Sequence, residues 1–104
     1  MLLKLLLHYI NENYGDPYML IAALYATSPN WSDEPALNKC TYFVIIDKLQ
    51  RAKAVDPSVA EEANKQIALY SAHTPQAKDL FMLGYKAGDR ITVGGWIGET
   101  TTIR

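Results

Sequence analysis

A chain of 104 residues accommodates one domain with one core, and two full cores would not fit. Hydrophobic residues make up 49% and charged residues 20%, which argues against global disorder. Ten Lys plus Arg against eleven Asp plus Glu leave a formal charge of −1, no electrostatic case for nucleic acid or an anionic membrane, and the single Cys40 excludes a disulfide framework or a cysteine-based zinc cluster.

The first predicted element is a helix over residues 2–13. Its leucines are interrupted by Lys4, His8 and Asn11, which share one helical stripe, so the segment reads as a helix buried by neighbours. An export signal would want an unbroken apolar run, and the run is far short of the roughly 20 residues that span a bilayer. The expectation is therefore a soluble protein without membrane insertion. Its compartment is cytoplasmic by default, and periplasmic if a longer exported parent chain carries the signal. Tyr14-Gly15-Asp16-Pro17 ends this helix; Asp16 is the expected N-cap and Pro17 the first residue of a second helix over 17–26. Within it Tyr18, Ile21, Ala22 and Tyr25 share a face.

Residues 27–35 hold two prolines and several turn formers, which predicts a long loop. A helix over 34–55 follows, with Phe43, Ile46, Leu49 and Val55 at helical spacing but no single clean stripe. Asp47 and Arg51, four apart, form the expected surface pair. Asp56-Pro57-Ser58 breaks that helix, and Ser58 with Glu61 has the form of a capping box opening a helix over 59–72. Thr74-Pro75 precedes a short helix over 76–83 that Gly84 stops. Residues 90–93 and 100–103 are β-branched and alternate, so they read as two strands. Between them Gly94-Gly95 offers a two-residue turn, or the whole segment forms a wider loop that presents Trp96.

The turns around Asp16-Pro17 and Asp56-Pro57 each close one helix and open another, and Tyr25 and Tyr70 lie near the ends of the helices they open. From Glu12 to Pro57 is 45 residues, of which the long loop takes about ten; the remainder is close to the 34-residue tetratricopeptide period. In its residues the chain resembles a tetratricopeptide-type array. Tyr18, Ile21, Ala22 and Tyr25 match the aromatic, leucine, small and tyrosine places of that family's first helix. Leu49, Ala52 and Pro57 match the second helix, while Ile45 departs from the small residue expected there. Ala63, Ile67 and Tyr70 fill the corresponding places of a following first helix, and Gln66 fits less well. Residues 63–101 are similar to the tail that ends a group of bacterial tetratricopeptide proteins. The resemblance implies a single mainly α domain over 1–104: four to five antiparallel hairpin helices, closed by a β-hairpin cap at 85–104. It implies a general protein-binding role and brings no catalytic residues.

No reactive constellation accompanies this pattern. His8 and His73 lack the spacing that places two ligands on one helix face, so no metal and no cofactor are expected. The glycine-rich 94–99 segment lacks the Gly-Lys-Ser/Thr ending of a phosphate loop, and Cys40 reads as a buried thiol. The expectation is a non-catalytic interaction or scaffold module for a protein or peptide partner. Tyr18, Ile21, Tyr25, Ala63 and Tyr70 would lie on its concave face, and Trp96 serves as cap or anchor. The alternative is a self-assembling unit that oligomerises through Leu2, Leu3, Leu6 and Ile10, because an incomplete repeat leaves an apolar face to be covered.

Overall fold

The computed structural model describes residues 15–28 and 30–104; the helix expected over 2–13, and with it Leu2, Leu3, Leu6 and Ile10, lies outside them. The described residues are mainly helical, with one small antiparallel sheet. In chain order they form α1 (Asp16–Ala26), α2 (Pro35–Asn38), α3 (Thr41–Val55), a 3-10 turn (Pro57–Val59), α4 (Ala60–Ser71), α5 (Ala77–Met82), β1 (Arg90–Val93) and β2 (Glu99–Thr102).

Helix α3 is the centre of the molecule. It packs against α1, α4 and β2, and this explains why its apolar residues form no single stripe. Phe43, Val44, Ile45 and Ile46 are consecutive and therefore point to different sides, and all four are buried, as are Leu49 and Ala52. A helix that is apolar on most of its circumference must be covered on most of it. Ala22 of α1, Ala52 of α3 and Ala63 of α4 are fully buried, and their small side chains permit close helix approach. Glu61, Glu62 and Lys65 face solvent from α4.

Three local expectations are corrected. Gly15, not Asp16, is the N-cap of α1, with Pro17 one place further into the first turn. The helix expected over 34–55 is divided into α2 and α3. At the junction Cys40, Tyr42 and Phe43 donate to carbonyls three residues back, a 3-10 pattern that tightens the chain. Asn38 is meanwhile committed to the preceding loop: its Oδ1 accepts from Trp31 and Ser32 N–H at 3.0 and 2.8 Å, and its Nδ2 donates to Ser32 O at 2.7 Å. The capping box is replaced as well. The Asp56 carboxylate, immediately before Pro57 opens the 3-10 turn, accepts from Ser58 N–H at 3.1 Å and from Ser58 Oγ at 2.6 Å. With this Asx-type closure Val59, not Ser58, is the N-cap of α4, and no described side chain caps that helix.

Helix α5 ends in a Schellman motif. Gly84 takes a left-handed φ of +93°, its N–H donates to Phe81 O, and Tyr85 N–H reaches back to Leu80 O at 2.9 Å. The strands pair with Ile91 opposite Thr101 and Val93 opposite Glu99. Their inner face buries Ile91, Val93 and Thr101, with Ile103 just beyond β2, while Thr92 and Thr100 hydrogen-bond at 2.8 Å outside. Of the two connections considered, the wider loop is found. Its five residues, 94–98, use positive φ at Gly95 and Gly98, and Gly94 lies against the Trp31 ring.

Candidate interaction surface

The six residues expected to meet a partner fall into three environments. Tyr18, Ile21, Tyr25 and Ala63 are buried, and the expected concave face lined by them is corrected: these side chains fill the interior. The physical reason is the same crowding around α3. The stripe on α1 that matches the repeat pattern is the stripe α1 turns toward its neighbours, and Ile21 and Tyr25 join the main core cluster. Tyr18 carries the Arg51 guanidinium 5.9 Å above its ring. Tyr70 is half-buried in a separate aromatic stack, with Tyr42 between it and His73 at centroid distances of 6.0 and 5.3 Å.

The structure does bring Tyr25 and Trp96 together. Their rings meet edge to face at 5.2 Å, and Trp96 remains 41% exposed. The Tyr25 hydroxyl donates to Glu99 Oε2 at 2.5 Å, and Lys48 Nζ pairs with Glu99 Oε1 at 2.8 Å. One helical position earlier, Asp47 accepts from the buried Thr101 hydroxyl at 2.6 Å and pairs with Arg104. Arg104 also covers the Phe43 ring, 5.1 Å from its centroid. Consecutive residues of α3 thus clamp β2 and the residues after it. Burial, then the Glu99 hydrogen bond and charge, hold the Tyr25 phenol protonated well above the ordinary tyrosine range. The expected Asp47–Arg51 pair had missed these partners, because the distant C-terminal strand supplies them.

The open surface with a defined chemistry lies elsewhere, between α5 and the end of the chain. The Gly84 turn folds Tyr85 back toward Leu80, and reciprocal backbone bonds hold Ile103 beside them. Gly88 N–H donates to Ile103 O and Ile103 N–H donates to Asp89 O, both at 2.8 Å. The result is a groove of about 390 Å³ with buried Leu80 and Ile103 as floor and Phe81, Met82, Tyr85, Ala77 and Ala87 as walls. Phe81 is 72% exposed and Met82 84%. Lys78, Lys86 and Arg104 complete the lining. Its volume is at the low end of the ~300–1,000 Å³ usual for ligand pockets, and its lining is apolar with cations at the rim.

A second hollow, about 460 Å³, is polar and sits beside Tyr42 and His73, with Asn30, Ser32, Asp33 and Lys39 in its walls. Asn38 also lines it but has spent its amide on the loop. Among the described residues no three His, Cys, Asp or Glu side chains gather as a metal-ligating group. No described helix is long and apolar enough to cross a membrane.

The groove had one legible signal. Leu80-Phe81-Met82-Leu83 are four consecutive apolar residues over the last three positions of a helix of six and its C-cap, and so short a helix turns only some of them inward. Comparison with protein-family models, curated proteins and solved structures finds no match to this chain.

Proposed function

We propose that this chain is a non-catalytic protein-interaction module whose docking face is the groove between α5 and Ile103. The observation that carries this reading is the pair Phe81 and Met82. Large apolar side chains exposed together over a preformed apolar floor mark a contact surface. The groove lining is apolar with Lys78, Lys86 and Arg104 beside it, a combination that suits recognition of a partner. The wider architecture we read as tetratricopeptide-like. Helix α1 packs on α3 and α3 on α4, with Ala22, Ala52 and Ala63 fully buried on these helices, and we read the C-terminal hairpin as their cap.

Panning a displayed peptide library on the immobilised protein, with Phe81→Asp as counter-target, tests this directly. Enriched peptides are expected to lose binding to the variant. No enrichment, or equal binding to both proteins, contradicts the reading.

A second reading, self-assembly, has its own observation: Leu20 and Leu24 are exposed four residues apart on α1. Light scattering across a dilution series tests it. A stable dimer that Leu20→Glu dissociates supports assembly through this side of the molecule, and a monomer at every concentration rules it out.

A further inference from the structure

We infer that the groove beside α5 takes an acidic peptide segment, seating one large apolar side chain over Leu80 and Ile103 with carboxylates facing Lys78 and Lys86. The inference rests on the reading of this groove as a docking face. Charge complementarity is its basis. Lys78 and Lys86 are exposed at the rim, and neither ammonium group has a carboxylate partner among the described residues. Arg104 supplies a third, partly neutralised charge through its pair with Asp47. The nearby Asp79 lines a different hollow, with Glu34 and Lys39. Asp89 accepts the Lys86 backbone N–H at 2.9 Å. A chain of net charge −1 therefore gathers cations around its apolar groove, and an apolar anchor flanked by carboxylates satisfies both features at once.

Other occupants fit less well. Phe81 and Met82 stand open to solvent, so an acyl chain lying there would stay wet along much of its length. An anionic membrane is ordinarily held by clusters of roughly 4–8 basic residues, more than this rim offers. A second copy of the chain has no excess of acidic residues to bring beyond its near-neutral balance.

The test titrates two synthetic helical peptides with identical leucine and phenylalanine positions into isotope-labelled protein. Glutamate fills the polar positions of one peptide and lysine those of the other. The acidic peptide is expected to shift the amide signals of Leu80, Phe81, Tyr85 and Ile103, to bind about tenfold more tightly than the basic one, and to weaken with salt. Lys78→Glu with Lys86→Glu should abolish that preference while circular dichroism stays unchanged, since both residues are exposed. Equal binding of both peptides at the groove overturns the charge inference and leaves the docking reading standing. Failure of both peptides, with Phe81→Asp without effect on any library-selected binder, overturns both. Dodecanoate, phosphatidylserine vesicles or a concentration-dependent dimer occupying the groove in place of the acidic peptide likewise overturns it.

Discussion

The Tyr25 hydroxyl and the Glu99 carboxylate meet at 2.5 Å, joining α1 to β2 across 74 residues of sequence. Lys48 approaches the other carboxylate oxygen from α3, so Glu99 ties three elements together. Tyr25→Phe keeps the ring and its edge contact with Trp96 and removes this one donor. A hydrogen bond to a charged group contributes about 1.5–3 kcal/mol, and the unfolding free energy should fall by the lower part of that range because Lys48 still holds Glu99, seen as a lower urea midpoint at unchanged slope. An unchanged midpoint would show that the bond contributes nothing net.

The same phenol predicts an alkaline limit. Its folded pKa is raised above the ordinary 10.0, so the native state keeps a proton that the unfolded chain releases. The stability this contributes is complete below about pH 10 and is lost as pH rises toward the folded value. Thermal midpoints of the wild type should fall more steeply above pH 10 than those of Tyr25→Phe. Parallel curves would contradict the assignment.

Asp56 predicts the opposite limb. Ser58 Oγ, then the Gly15 N–H at 3.1 Å, stabilise its carboxylate and hold its pKa below the ordinary 3.8. Stability from this group is present above that value and is lost as pH falls through the lower folded pKa. Asp56→Asn should lower the thermal midpoint at neutral pH and flatten its fall in acid. An acid limb identical to wild type would show that other carboxylates set it.

Gly15 is buried where α1 meets the 3-10 turn. A Cβ there would lie 2.5 Å from Val59 Cγ2 and 3.0 Å from Ala52 O. Gly15→Ala should destabilise by about 1–3 kcal/mol through overpacking. Adding Val59→Ala should recover part of the loss, because the nearest clash is removed while those with Ala52 O and Asp56 Cβ, both at 3.0 Å, remain. Additive losses in a denaturation cycle would contradict this packing.

Cys40 is fully buried, its Sγ 3.6 Å from Ala36 O, and burial pushes its thiol up to about 11. A thiol reagent at neutral pH should react with it at the rate of unfolding, and promptly in denaturant. Prompt reaction of the native protein would contradict its burial.

Much of the fold was legible. The helices over 17–26 and 59–72, the stop at Gly84 and the two strands follow from periodicity, punctuation and β-branching, and they lie within a few residues of α1, α4, α5 and the hairpin. What was not legible depends on distant partners. Tyr18, Ile21 and Tyr25 form a helical stripe whether that stripe lines an open face or a core, and only the packing of α1 on α3 decides between them. The partners of Asp47 and Lys48 come from residues 99–104, beyond any local pattern. Asp56 takes the Ser58 N–H that a capping-box Glu61 would otherwise accept, so the Ser58–Glu61 signature is not realised. The groove left only the apolar run at 80–83 as a signal, because a helix of six residues is too short for periodicity to separate its inner side from its outer.

The most direct measurement is hydrogen exchange of the protein with and without a peptide selected on it. Docking at the proposed groove predicts slowed exchange at the amides of residues 77–87 and of Ile103, with the rest of the chain unchanged. Slowed exchange confined to residues 18–25 and 63–70, with the groove unaffected, would contradict it and return the binding face to the tyrosine-bearing helices.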